Sequence, residues 1–291
     1  MPKTEKRETE KILALHGWQI PASRFLHWLL IVPFRMRWGR RAKVQDRWTP
    51  PGPVGQLEAY EANVSSQQGE DGILREIFYR IGSGGRFFVE FGVEDGYECN
   101  TALLAARYGW SGLYIDANPR DVEKLRKRWS GRNDIVIRQE FITAENIAKI
   151  FEEAGVPNEP DLLSIDIDGN DYWVWKALSN YRPRVVIIEY NGSYPPPRRW
   201  IMAYNPNHRW DSTTYFGVSL SSLHDLGTRL GYALVGTDTH GINSFFIRRD
   251  LLAASGFAEA TPEEAYHPPR YGMLRIPFAY RGGPAVEGVS P

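Results

Sequence analysis

Two apolar periodicities alternate along this chain. Short, nearly continuous apolar runs of strand length are followed by segments whose apolar residues recur every three to four positions. The first run, Phe87-Phe88-Val89-Glu90-Phe91, has four apolar residues in five and meets Gly92 and Gly96, which predicts a strand buried on both faces that ends in a tight turn. A helix over 101–108 follows and stops at Gly109, and a second strand closes on Asp116. The alternation continues with a helix over 120–129, a strand over 134–138, a helix over 145–154 and a strand over 162–167. A helix over 171–178 leads to the strand over 184–190, whose Val185-Val186-Ile187-Ile188 core suits a central parallel strand. A helix over 219–230, stopped by Gly231, precedes strands over 232–237 and 243–248, joined by Asp238-Thr239-His240-Gly241. Ahead of all of these, 65–79 predicts an opening helix with Ser66 as its cap and Glu70 and Asp71 complementing its N-terminal dipole.

Strand–helix alternation of this kind folds as a mostly parallel sheet with helices on both faces, and the glycine turn after its first strand is where such sheets bind nucleotide-like ligands. Gly92 and Gly96 let backbone approach a ligand closely, and Glu90 and Glu94 set carboxylates beside the turn, which suits an amine or a hydroxyl better than a phosphate. Asp116, at the next strand end, can accept hydrogen bonds from both hydroxyls of a ribose. The Gly-x-x-x-Gly spacing departs from the dinucleotide pattern, and no phosphate-binding Gly-x-x-x-x-Gly-Lys-Ser/Thr loop occurs.

A second acidic group lies further on. Asp166-Ile167-Asp168-Gly169-Asn170-Asp171 places three carboxylates in six residues at a buried strand's end, costly there unless solvated, paired or bound to a cation. The following strand ends in Glu189-Tyr190-Asn191. Residues 192–216 form a long insertion with Tyr194, Trp200, Tyr204, Trp210 and Tyr215, interleaved with Arg198, Arg199 and Arg209. Aromatic rings can stack on sugars and arginines can grip a carboxylate or phosphate; equally, such a lid can pack on itself. His208 and Asp211 are candidate bases within it.

Glu90-x-Gly92-x-Glu94-x-Gly96 with Asp116 resembles the cofactor motif of class I S-adenosylmethionine-dependent methyltransferases. Ser66-Gln67-Gln68-Gly69-Glu70-Asp71, the 87–119 stretch, Leu163-Ser164-Ile165-Asp166-Ile167-Asp168-Gly169 and Ile187-Ile188-Glu189 resemble, in order and spacing, FkbM-type members over about residues 65–250. The resemblance implies a doubly wound, seven-stranded, mostly parallel α/β sheet and S-adenosylmethionine as cofactor. It sets Glu90, Gly92, Glu94, Gly96 and Asn100 by the methionine part, Asp116 on the ribose, Phe141 or its neighbours by the base and Asp166 at the methionine end. Gln67 lies over the cofactor in such proteins; here it is either a contact or part of the helix cap. Asp168-Gly169-x-x-Tyr172 with the acidic end of the next strand is also similar to the metal site of macrolide-sugar O-methyltransferases, implying Mg²⁺ held by Asp168, Glu189 and Asn191, although Glu-Tyr-Asn stands in place of paired aspartates. Without a metal, Asp168 would bind the acceptor or act as base, with Glu189 and His208 as the other catalytic candidates. The implied reaction is O-methylation of a sugar, glycan or glycosylated product.

Charge refines this picture. The chain is neutral overall, but residues 1–50 carry eleven Lys/Arg against four acids, a net of +7 balanced by −7 elsewhere. A basic arm on an acidic remainder argues against a dedicated nucleic-acid binder. Residues 1–60 are expected to form a helical arm and linker ending near Pro50-Pro51-Gly52-Pro53. The apolar run 25–34, followed by Arg35, Arg37, Arg40 and Arg41, is too short to span a bilayer. It would either lie on an anionic membrane or pack on the domain or on a second subunit of a homo-oligomer. The single cysteine, Cys99, excludes an internal disulfide and fits a cytoplasmic protein. The catalytic domain is expected over 61–254, with 255–291 as a tail wrapping its surface.

Overall fold

In a computed structural model, residues 57–270 and 281–287 are described. The basic arm, with its membrane and partner readings, lies outside the described residues. Among those described, no helix is long and apolar enough to cross a membrane.

The predicted alternation is realised as β1 (Phe87–Phe91), α2 (Ala102–Tyr108), β2 (Ser111–Asp116), α3 (Pro119–Arg128), β3 (Ile135–Gln139), α4 (Ile147–Glu153), β4 (Leu162–Ile165), α5 (Asp171–Ala177) and β5 (Val185–Glu189). Helix α1 (Glu70–Ile81) precedes them. The insertion contains β6 (Trp200–Met202), and the chain continues through α6 (Leu220–Leu230), β7 (Tyr232–Thr237), β8 (Asn243–Arg248), α7 (Arg249–Ser255), α8 (Pro262–Ala265) and β9 (Ala285–Glu287). The main sheet has the order β3-β2-β1-β4-β5-β8-β7, with β1 to β5 parallel and β8 antiparallel to both of its neighbours. This is the doubly wound, seven-stranded sheet of the class I methyltransferase type.

Alternating strand residues feed two cores. Phe88, Tyr114, Ile187 and Phe245 pack with α1, α2 and α3 on one face, while Val89, Ile115, Val186 and Phe246 pack with α4, α5 and α6 on the other. Strand β5 is buried at all five positions, as its unbroken apolar run requires. The chain reverses its direction of travel between β1 and β4, so a crevice opens at their carboxyl ends, where α/β sheets bind ligands.

Several boundaries differ from expectation for local reasons. Helix α1 begins at Glu70 behind a left-handed Gly69. Ser66 Oγ still accepts from the Asp71 amide, while the Asp71 carboxylate accepts the amides of Val64, Ser65 and Ser66 and ties the entering loop down. Strand β4 ends two residues early because the Asp171 carboxylate accepts the amides of Ile167 (2.9 Å) and Gly169 (2.9 Å), drawing the acidic run into a turn. The expected tail is more than a wrapping: β9 pairs antiparallel with β6 of the insertion.

Candidate active site

The glycine turn is built by close backbone packing. At Gly92, φ is +69° and a Cβ would lie 1.7 Å from the Asp166 carbonyl oxygen, so only glycine lets β1 and β4 end side by side. At Gly96, φ is +79° and a Cβ would strike Leu125 of α3. Between them Glu94, at φ +47°, donates its amide to Asp116 Oδ2 (2.8 Å). Asp116 Oδ1 accepts from Asn118 (2.7 Å), so this carboxylate joins the β1–α2 turn to the β2–α3 turn. Partial burial raises its pKa, and these two amides oppose the shift.

Glu90 faces the start of α2 instead of the open crevice. Its oxygens accept the amides of Asn100 (2.7 Å) and Thr101 (3.1 Å) and the Thr101 hydroxyl (2.6 Å). Burial lifts its carboxyl to about 7 against the pull of those hydrogen bonds. Asn100 extends the network across the sheet by donating Nδ2 to Ser164 of β4 (3.0 Å). Glu90 and Asn100 therefore shape the turn from behind. Gln67 is exposed on the loop before α1, where its carbonyl accepts from Asn63 (2.9 Å). Phe141, after β3, is half-buried beneath the Arg209 guanidinium, 4.7 Å from its ring centre, so the insertion reaches this side of the crevice.

The acidic residues converge. Asp166, Asp168 and Glu189 each offer an oxygen, all within 4.8 Å of one another. Asp168, at φ +53°, is turned toward the mouth of the crevice and is exposed there, while Glu189 is buried. Although the residue is exposed overall, the protein packed against its carboxyl, together with the like charges of Asp171 and Glu94, raises the Asp168 pKa. Burial and the neighbouring carboxylates drive Asp166 and Glu189 well above the ordinary range. Glu189 Oε2 is buried without a hydrogen-bond partner. Three hard oxygen donors, one of them unsatisfied, fit a divalent cation such as Mg²⁺ or Ca²⁺.

Asn191 does not belong to that donor set. It is fully buried, its Nδ2 donates to the carbonyls of Thr214 (2.9 Å) and Phe216 (2.8 Å), and its Oδ1 accepts from Ser193 (3.0 Å). The side chain is spent closing the base of the insertion, which corrects its expected role as a metal ligand.

His208 does reach the acidic turn. Its Nε2 lies 3.2 Å from the Asp168 carbonyl, and a Cβ on Gly169 would come within 2.3 Å of its ring. A carbonyl partner makes Nε2 the N–H donor and leaves Nδ1 as a lone-pair acceptor, while partial burial lowers the imidazole pKa and favours this neutral form. The insertion's aromatics pack largely on one another: Tyr194 and Trp200 stack at 4.1 Å and both are buried. Its arginines are committed too, Arg199 to Asp225 and Arg198 over the Tyr194 ring.

Two further residues support the site. Asn243, first residue of β8, is the ladder partner of Glu189, and its Nδ2 donates to Glu70 of α1 (2.8 Å). Glu70 was expected only as a dipole partner for its helix. Its position in the Ser-Gln-Gln-Gly-Glu-Asp run and a lone asparagine opening an apolar strand were the signals available in the sequence.

The strand order and the crevice define a class I methyltransferase fold. Neither a protein-family model nor a curated protein matches the chain. Among solved structures, the chain is similar to the N-terminal domain of EvdMO1 in the presence of SAH and D-fucose, at 15% identity and TM-score 0.41, covering 74% of this chain and 96% of that one. It is similar to an O-methyltransferase from Bacillus cereus in complex with SAH, at 14% identity and TM-score 0.42, covering 66% and 83%. An S-adenosylmethionine-dependent methyltransferase from Clostridium acetobutylicum aligns at 7% identity and TM-score 0.39, covering 60% and 88%. These likenesses are distant, and the fold assignment rests on the strand order itself.

Proposed function

We propose that this protein transfers a methyl group from S-adenosylmethionine to a hydroxyl oxygen of a sugar or glycosylated acceptor. The observation that carries the reading is the convergence of Asp166, Asp168 and Glu189 at the carboxyl edge of β4 and β5, beside the glycine turn that follows β1. The cofactor would lie along that turn with its ribose toward Asp116, and bound there it supplies the electrophilic methyl carbon. The acceptor would enter from the side of the acidic turn and the insertion.

A sugar hydroxyl is a poor nucleophile near neutral pH, so the site must take up its proton or lower its pKa. His208, whose Nε2 meets the Asp168 carbonyl, would offer Nδ1 as the base, and the exposed Asp168 carboxylate can accept the acceptor's hydrogen bonds. A divalent cation, Mg²⁺ being the natural choice, would be held by Asp166, Asp168 and Glu189 and would lower the pKa of a bound hydroxyl. The test is transfer of labelled methyl from S-adenosylmethionine to a panel of sugars and glycosides, run before and after exhaustive chelation with Mg²⁺ added back. Labelling confined to nitrogen or carbon acceptors would overturn the reading, and full activity after chelation would remove the cation from it.

A further inference from the structure

His208 is held from two sides by neighbours in the insertion that are themselves anchored to segments distant in sequence. On one side Asn205, whose carbonyl accepts the His208 amide (2.9 Å), exchanges hydrogen bonds with Asn170 of the acidic turn, 2.8 Å from Asn170 Nδ2 and 3.4 Å back to its Oδ1. On the other, the Tyr215 ring meets the His208 ring edge-on, with centres 6.1 Å apart and planes at 73°.

Tyr215 is in turn placed by residues 281–287. Its hydroxyl donates to the Pro284 carbonyl (2.7 Å), and a Cβ on Gly283 would lie 2.4 Å from its ring. The Arg281 guanidinium sits 5.5 Å from the ring centre and pairs with Asp211. The Arg281 amide donates to Thr214 Oγ1 (3.1 Å), and Pro284 also accepts the Ala203 amide (3.0 Å) at the start of the β6–β9 ladder. The contacts therefore run from Gly283 through Tyr215 to His208 and on to the carbonyl of Asp168.

We propose that Tyr215 and Gly283 are positioning residues for His208, so that the segment 281–287 belongs to the acceptor side of the active site although it touches no reacting atom. This rests on His208 acting at the acceptor, as proposed above. The aromatic edge keeps the imidazole from swinging away from the acidic turn, and the missing side chain at position 283 leaves room for the ring that does so. Misplacing a base by about an ångström lowers turnover by roughly tenfold to a hundredfold while leaving distant binding contacts intact.

The test uses the full chain with ¹³C-labelled histidine. At one fixed pH the His208 ring resonance is assigned by its disappearance in His208→Gln, then compared in Gly283→Ala, Tyr215→Leu and Tyr215→Phe, with SAH affinity measured by calorimetry on each. Gly283→Ala and Tyr215→Leu are expected to move the His208 resonance and to lower kcat by roughly tenfold to a hundredfold. SAH affinity should stay within about twofold, because the cofactor turn is untouched. Tyr215→Phe, which keeps the ring edge, should retain both the resonance and kcat. Should Gly283→Ala fail to fold, Tyr215→Leu decides. An unmoved resonance in a folded Tyr215→Leu protein overturns the proposal. A moved resonance, with a wild-type protein that methylates no hydroxyl acceptor, would support the positioning and overturn the proposed reaction instead.

Discussion

Glu189 on β5 and Asn243 on β8 stand directly opposite each other across the antiparallel ladder, and each carries a buried side-chain oxygen with no hydrogen-bond partner. Cross-strand neighbours in such a ladder project to the same face of the sheet. Asp166 and Asp168 add like charge beside Glu189. The protein tolerates an arrangement that costs stability and that a cation or a proton would relieve.

Glu189→Gln should therefore stabilise the fold in cation-free buffer at pH 8. The introduced amide brings a permanent donor and takes one ionisable carboxyl out of the cluster, a gain of about 1 kcal/mol or more. Urea unfolding would show a raised midpoint, and methyl transfer by the same variant should be largely lost. A lowered midpoint would mean that the wild-type carboxylate is well satisfied.

Asp116→Ala should weaken SAH binding. Its carboxylate holds the amides of Glu94 and Asn118 and is the group proposed to face the ribose, so on that reading the loss is about 1.5–3 kcal/mol, or roughly tenfold to a hundredfold in Kd. Calorimetry decides, and an unchanged affinity would place the ribose elsewhere.

Glu90 sets a pH dependence of stability. Its folded pKa of about 7 lies above its ordinary 4.5, so the folded protein holds a proton that the unfolded chain releases between those values. The stabilisation is complete below about pH 4.5 and is lost as pH rises through about 7, a change of up to about 3 kcal/mol. Glu90→Gln should flatten this limb, so its stability deficit relative to wild type shrinks from pH 5 to pH 8. Parallel unfolding curves across that range would contradict the assignment.

Asn191→Ala should loosen the insertion while sparing the cofactor turn. The substitution strands two buried carbonyls and one amide, a loss of about 3 kcal/mol or more. Proteolysis should then cut within 192–216 first, with SAH affinity retained. Cleavage spread evenly along the chain would show that Asn191 supports the whole domain.

What the sequence made legible follows the reach of each interaction. Strands β1, β2 and β5 declare themselves because burial on both faces leaves almost no polar position, and Gly92 marks a close backbone approach that no other residue permits. Asn191 misleads because its three hydrogen bonds go to residues chosen by the path of the insertion; beside Glu189, an asparagine in the sequence looks the same whether it binds a cation or two carbonyls. Strand β6 is three residues long and too short to show a period, and its partner β9 lies more than eighty positions later, so neither could be read locally. The lid arginines look available in sequence; Asp225 and Phe141, which occupy two of them, are contributed by other elements.

The β6–β9 pairing bears on the order in which this molecule becomes whole. Pairs β1–β2, β2–β3 and β4–β5 can form as the chain emerges, since each joins segments a few tens of residues apart. The insertion receives its last strand only after residues 285–287 have been made. A nascent molecule would thus possess its glycine turn well before its completed insertion, and anyone grafting this insertion onto a related sheet would have to carry two separated stretches of sequence together.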